Sequence, residues 1–378
     1  MFYRETRNIV SDYTADRSMI PLRQDRWFLY AFMFFILFIV PYIADDYWMG
    51  AILIPLLVFS LASLGLNLLT GYTGQLSLGS GGFMLLGAVA TFNFLYRFDG
   101  QNIPFDMPLP MALFFAGVVT GLVGVLFGLP SIRIKGFYLI VSTLAAHFFI
   151  LWFFNSYRYF VNYDHAGVVL LSSRYYEITW LQFNPQNYYL PELTTLNLNT
   201  YIGKYYLVLI TVIILTLVAK NLVRSSIGRN MMAVRDMDIA ASVIGIRVGA
   251  TKLIAFFIST FYIGVAGALF SFSYTTDINL RTHELDRAFQ ILFMIIIGGL
   301  GSIAGSFMGT AFVYMFDIVI SLIGDRIFGG AFNSAFVENL GKVITGVVII
   351  ILLIKEPGGF AALWGRYKEK LRTWPFPH

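Results

Sequence analysis

A chain of 378 residues that is 58% apolar and only 12% charged belongs by that balance among membrane proteins, not soluble globular ones. It has no cysteine, and its four histidines (His147, His165, His283 and His378) are far apart in sequence. This excludes a disulfide framework, a thiol nucleophile and a thiolate zinc site, and no metal site is expected. The net charge of +5 comes from basic residues that flank apolar runs instead of forming an aromatic-interleaved patch, which speaks for membrane orientation and against nucleic acid.

Residues 1–26 carry five arginines, four acids and no apolar core, so they are expected to form a cytoplasmic extension and not a cleavable signal peptide. Apolar runs then follow near 27–43, 51–70, 77–96, 108–128, 136–156, 203–222, 251–273, 287–299, 303–323 and 340–355. A helix needs about 20 residues to cross a bilayer core, so 287–299 and 340–355 are short, and the count is about ten with eight or nine open. The fold class is therefore all-α: a polytopic membrane domain over 27–355, followed by a cytoplasmic tail over 356–378.

The first break in this pattern is 71–82, GYTGQLSLGSGG, with Gly71, Gly74, Gly79, Gly81 and Gly82 in twelve residues. Each glycine costs a helix about 1 kcal/mol relative to alanine. In lipid, a broken backbone survives only where protein or a water-filled path satisfies the freed groups. A second break lies at 298–309, GGLGSIAGSFMG, with Gly298, Gly299 and Gly301. Paired breaks in two halves of a chain point to internal repeats around a transport path, and Gly301, Gly305 and Gly309 equally fit close helix packing of the small-xxx-small kind. Asn67, Gln75, Ser77, Ser80 and Gln290 are the polar groups expected nearest a small zwitterionic or amide solute.

His147 and Asp317 lie inside apolar runs, where a charge costs at least about 2.5–3.5 kcal/mol, so each should face protein or water. A neutral, hydrogen-bonded packing role is expected for His147. For Asp317 the expectation is pairing with a neighbouring helix or a place near the outer boundary. The connection 157–202, rich in Tyr, Asn and Pro, reads as an external loop, either a docking surface or an inert cap.

Between two long apolar runs lies a polar and basic island, 224–249, RSSIGRNMMAVRDMDIAASVIGIRVG. Met231, Met232, Val234, Ile239, Val243 and Ile244 recur at roughly helical spacing with Arg229 and Arg235 between them, and Gly245 is placed to end the helix. An amphipathic helix of this kind suits a groove on a soluble partner, and it equally suits the lipid surface. With the N-terminus inside, ten spans leave 18 of the 26 basic residues but only 8 of the 21 acidic ones in the inner segments 1–26, 71–76, 129–135, 220–252, the turn near 300 and the tail from 355. The positive-inside rule then puts 224–249 and both termini in the cytoplasm.

The tract DMDIAASVIG resembles the coupling segment of bacterial ABC importer permeases, an acidic residue, two alanines and a glycine four residues on, here Asp238, Ala240, Ala241 and Gly245. GYTGQLSLGSGGF, the stretch from Gly128-Leu129-Pro130 to Ser142-Thr143-Leu144-Ala145, Ile297-Gly298-Gly299-Leu300-Gly301-Ser302 and Glu356-Pro357-Gly358-Gly359 resemble, in order, signatures of the branched-chain amino acid permease family. The likeness is more to the LivM than the LivH type, and urea and amide permeases are closely similar. It implies a multi-pass subunit of the bacterial inner membrane that transports branched-chain or related amino acids and performs no chemistry itself. Its implied partners are a second homologous permease subunit, two ATP-binding subunits holding the ATP and Mg, an extracytoplasmic substrate-binding protein and membrane lipid. It also implies contact with the ATPase through Gly228, Arg229, Arg235, Asp238, Ala240, Ala241 and Gly245, and a translocation path near Asn67, Gly71, Gly74, Gln75, Ser77, Gly79, Ser80, Gly298, Gly299 and Gly301.

No Gly-x-x-x-x-Gly-Lys-Ser/Thr motif occurs, so no cofactor is expected on this chain and the ATPases must be separate. The alternatives are a urea or short-amide permease, an ion-gradient carrier or channel, for which only Asp317 and His147 offer coupling groups, and an intramembrane serine hydrolase using His147. The hydrolase lacks a Gly-x-Ser-Gly elbow and an orienting acid.

Overall fold

A computed structural model describes residues 23–97, 107–133, 136–161, 168–171, 177–179, 195–197, 200–328, 334–356 and 358–373. Residues 1–22 of the expected extension, most of the 157–202 connection and the side chain of Asp317 lie outside the described residues. Each of the ten apolar runs lies largely within a helix, with only 77–79, 108, 136 and 299 falling outside. The helices are α1 (Arg23–Phe34, continuing through Phe35–Ile39 and Val40–Ile43), α2 (Trp48–Thr73), α3 (Ser80–Arg97), α4 (Leu109–Ile132), α5 (Phe137–Ser156), α6 (Tyr201–Arg224), α9 (Val248–Thr275), α10 (Leu285–Gly298), α11 (Ile303–Phe328) and α12 (Ser334–Lys355). Between α6 and α9 lie two short helices, α7 (Ser226–Asp236) and α8 (Asp238–Val243), and the chain closes with α13 (Gly359–Thr373).

Among the described residues, five of these helices (α2, α4, α5, α6 and α9) are long and apolar enough to cross a membrane. Helix α10 spans only 14 residues, about 21 Å, as the short run at 287–299 foreshadowed. Two short antiparallel ladders interrupt the all-α pattern. Val168–Leu170 (β1) pairs with Asp277–Asn279 (β4), and Glu177–Thr179 (β2) with Thr195–Asn197 (β3). The first ties part of the 157–202 connection to the turn before α10.

The bundle is organised around α9, which packs on α2, α3 and α4. In α2 and α9, 83% and 72% of the apolar window is buried, against 28% in α6, so α2 and α9 form the core and α6 the rim. Lipid tails are as apolar as leucine, so association rests on close approach and polar links, not on a hydrophobic gain between helices. At the α3–α9 crossing a Cβ on Gly87 would overlap the carbonyl of Gly264, and one on Gly267 the carbonyl of Met84. Around the rim, Phe34, Phe38, Phe114, Phe148 and Trp152 are half-exposed or more, in keeping with a lipid-facing surface.

The helix expected over 224–249 is instead two. Met237 is extended (φ −157°, ψ 101°) and serves both as the last cap of α7 and the first of α8. Asp236 and Asp238 flank it, and aspartates favour caps over helix interiors. One amphipathic stripe thus becomes an elbow whose arms face different surroundings.

Candidate functional site

The two glycine breaks meet. Asn67, fully buried on α2, donates from Nδ2 to the Ser302 carbonyl (2.9 Å) and to Ser306 Oγ (2.8 Å), and its Oδ1 accepts from the Gly301 backbone N–H (2.9 Å). One turn away Ser63 Oγ lies 2.9 Å from Thr310 Oγ1. Where Gly71 crosses Gly301 the backbones touch, and a Cβ on Gly71 would overlap both Asn67 Oδ1 and Gly301 N. The second break is closed in the same way. A Cβ on Gly298 would overlap the Gly305 carbonyl, and Gly299 (φ +110°) packs on Gly358.

Asn67, Gly71, Gly298, Gly299 and Gly301 are therefore packed in helix crossings, the close approach expected of small residues, a reading that can hold together with a path beside them. Sequence reasoning missed Ser63, Ser302, Ser306 and Thr310 as partners. Their signal was the four-residue spacing of Ser63 with Asn67 and of Ser302 with Ser306 and Thr310, which puts each set on one helix face.

The extended stretch 74–79 needs its own partners for freed backbone groups. The Leu78 N–H donates to Thr143 Oγ1 (3.1 Å), the Gly79 N–H to Ser77 Oγ (3.3 Å) and the Gly82 N–H to His147 Nδ1 (2.9 Å). A backbone N–H can only donate, so His147 presents a lone pair at Nδ1 and is the neutral packing residue its place in an apolar run suggested. Ser80 is fully buried, and Gln290 Oε1 accepts from Arg287 Nη1 (2.7 Å).

Over this crossing lies the α7–α8 elbow. Ser225 caps α7, its Oγ accepting from the Gly228 N–H (3.5 Å). Gly228 is buried, and a Cβ there would overlap the Val223 carbonyl. Met231 and Val234 face inward and are buried, whereas Met237, Ile239, Val243 and Ile244 are 70–81% exposed. Arg235 Nη1 donates to the Gly71 carbonyl (2.8 Å), linking the elbow directly to the crossing. Arg229 is exposed and donates to the Arg224 carbonyl (3.1 Å).

The acid–alanine–alanine–glycine tract acquires a physical reason here. Asp238 opens α8, where a negative charge suits the helix dipole, and lies 4.0 Å from Lys252 Nζ. Ala240 is exposed and Ala241 buried. The Ile246 N–H reaches the Ala241 carbonyl (3.0 Å) and the Gly245 N–H the Ser242 carbonyl (3.1 Å), the double bond of a Schellman ending. That ending needs a left-handed residue four places after Ala241, and Gly245 has φ +91°.

A family profile described as branched-chain amino acid transport system / permease component matches residues 49–353. The chain belongs to that family. The chain is 28% identical over 269 residues to the high-affinity branched-chain amino acid transport system permease protein LivM of Salmonella typhimurium, covering 65% of this chain and 57% of that one. LivM of Escherichia coli is 27% identical with the same coverage. A probable LivH of Methanocaldococcus jannaschii is 31% identical over 165 residues, 43% of this chain and 50% of that one. The chain thus spans little more than half the length of the LivM relatives it matches, and no solved structure matches it. Family and apolar helices together make it a multi-pass membrane protein.

Proposed function

We propose that this chain is the permease subunit of an ATP-driven importer of branched-chain or related amino acids, forming half of the translocation path with a second, related permease. Two separate ATP-binding subunits hold the ATP and Mg, and an extracytoplasmic binding protein delivers the solute. The observation that carries this reading is the elbow: four apolar side chains, Met237, Ile239, Val243 and Ile244, stand exposed at the charged pole of the bundle. The opposite face of the same segment is anchored by Met231 and Val234 and tied to the Gly71–Gly301 crossing by Arg235. An apolar ridge on a braced helix fits a groove on a soluble partner, and force on that ridge reaches the crossing through one hydrogen bond.

Orientation follows from charge. The segments near 71–76, 131, 235, 252, 300 and 358, assigned inside by the positive-inside rule, are joined by the contacts Arg235–Gly71, Gly71–Gly301, Lys252–Ser131 and Gly299–Gly358. This supports a cytoplasmic elbow and tail in a bacterial inner membrane.

Reconstitution with the two ATPases and the binding protein tests the reading. Ile239→Asp with Val243→Asp alters exposed positions only, so the chain should insert normally while ATP-driven leucine uptake falls at least tenfold. Gly245→Arg and Ala241→Glu should uncouple hydrolysis from uptake as well. Normal uptake by all three would refute the coupling role, and uptake of urea or acetamide in place of leucine, isoleucine and valine would move the substrate assignment.

A further inference from the structure

The first turn of α13 is locked onto the end of α10. Gly359 (φ +65°) leaves no room for a Cβ against the Ile297 carbonyl, and a Cβ on Gly299 would lie 3.1 Å from Ala361 Cβ. The Phe360 ring packs 5.0 Å from that of Phe312 on α11. Phe360, Leu363, Trp364 and Tyr367 recur at i, i+3, i+4 and i+7, so they form one stripe along the helix. The bundle covers only its start: Phe360 and Leu363 are half-buried, whereas Trp364 and Tyr367 are 51% and 63% exposed. Helical spacing puts Arg366 on one border of the stripe and Lys368 on the other, and Lys370 and Arg372 follow four residues on. Residues 355–373 hold five basic residues, with Lys355, against two acidic ones, Glu356 and Glu369, and Arg366 pairs with Glu356. Helix α12, which ends four residues before α13, exposes Val347, Ile350, Ile351 and Ile354. The amphipathic helix thus starts where the lateral apolar surface gives way to charge.

We propose that α13 lies in the plane of the membrane surface and binds the anionic phospholipid headgroups around it. A membrane interface takes a helix with aromatic rings on one face and long basic side chains along its borders, the rings at the headgroup level and the cations reaching the phosphates. Negative surface charge attracts such a segment within a Debye length. The excess of basic residues complements that charge, and the stripe runs on from the half-buried rings of Phe312 and Phe316, stacked 5.5 Å apart on the side of α11, so lipid is the occupant it fits. The joint gives the contact a consequence. Gly299 leads in two residues to Gly301, where an added Cβ would lie 3.2 Å from Arg235 Nη1. A helix seated on lipid therefore holds the second break, and with it the footing of the elbow, at a fixed depth. The proposal goes beyond the transport reading and does not depend on it.

Spin labelling of the full chain in vesicles is the test, and the absence of cysteine lets one introduced thiol report alone. Tyr367→Cys puts the label on the stripe. Gly365→Cys, where nothing lies within 4 Å of an added Cβ, puts it on the other side. In vesicles rich in phosphatidylglycerol, collisions with oxygen relative to those with an aqueous nickel chelate should be several-fold more frequent for Tyr367→Cys than for Gly365→Cys. Exchanging phosphatidylglycerol for phosphatidylcholine, or raising KCl to about 1 M, where the screening length is about 3 Å, should lower the Tyr367→Cys ratio several-fold. Combining Arg366→Gln, Lys368→Gln and Lys370→Gln should abolish the response to phosphatidylglycerol, whereas Arg366→Lys should preserve it. Equal ratios at the two positions, or a Tyr367→Cys ratio indifferent to lipid charge, would overturn the proposal. A Tyr367→Cys label that leaves water only when ATP-binding subunits are added would overturn it too, by giving the stripe to a protein groove.

Discussion

Replacing Asn67 by alanine should destabilise the bundle more than any other single polar deletion on α2. Three hydrogen bonds end, two from Nδ2 and one to Oδ1. Polar links between membrane helices are worth about 0.6 kcal/mol on average and about 1.7 at most, so the three bonds account for about 2 kcal/mol. The Gly301 N–H, turned into the crossing by φ +77°, then loses its acceptor, and an orphaned buried donor costs a further ~1–3 kcal/mol. A total near 4 kcal/mol follows. Ser63→Ala, which ends the contacts to Thr310 and the Ser306 carbonyl one turn away, should cost about 1 kcal/mol by the same scale. The assay is thermal unfolding of the detergent-solubilised chain followed by loss of monodispersity, with both variants beside the parent. If Asn67→Ala melts no lower than Ser63→Ala, the two breaks are not held together by this residue.

At Gly71 an added methyl would meet the Gly301 backbone and Asn67 Oδ1. Neither can yield as a flexible side chain would, so Gly71→Ala should cost about 3 kcal/mol or more. Gly346, with nothing within 4 Å of an added Cβ, should accept alanine at no cost, and equal melting temperatures for the two variants would contradict the crossing. His283, in the turn before α10, is fully buried, and its imidazole is pushed down to about 4. Burial is the main cause. Arg287 and His147 nearby push the same way, while the Asn279 carbonyl opposes. Its ordinary value is about 6.5, so the folded protein holds it neutral. Its stabilising contribution is whole above pH ~6.5 and declines as pH falls toward ~4, by roughly 3 kcal/mol in all. His283→Gln should flatten the melting temperature between those pH values, and an unchanged slope would refute the assignment.

Much of this architecture is written in local pattern. Apolar runs located ten of the helices, α1 to α6 and α9 to α12, because a helix satisfies its own backbone and needs no partner to be recognised. The glycine clusters marked the two breaks, and the position of His147 inside an apolar run was enough to expect a neutral packing group. The acid–alanine–alanine–glycine tract marked the end of α8, since a Schellman turn is a six-residue motif that carries its requirement in its own sequence.

Tertiary structure decided the rest, and for one reason: the partners lie too far apart in the chain for periodicity to pair them. Asn67 bonds to Ser302 across 235 residues, and Arg235 reaches Gly71 across 164. Nothing local to either break says that it will close on the other instead of opening to water. The division of one apolar stripe into a buried arm at Met231 and Val234 and an exposed arm from Met237 to Ile244 depends equally on what α7 packs against. Sequence by itself thus located the apolar helices, the places where they break and the clusters of basic residues between them. The meeting of the breaks, the elbow and the burial of Gln75 were fixed only when the helices packed, because a side chain's burial and hydrogen-bond partners are properties of its neighbours in space.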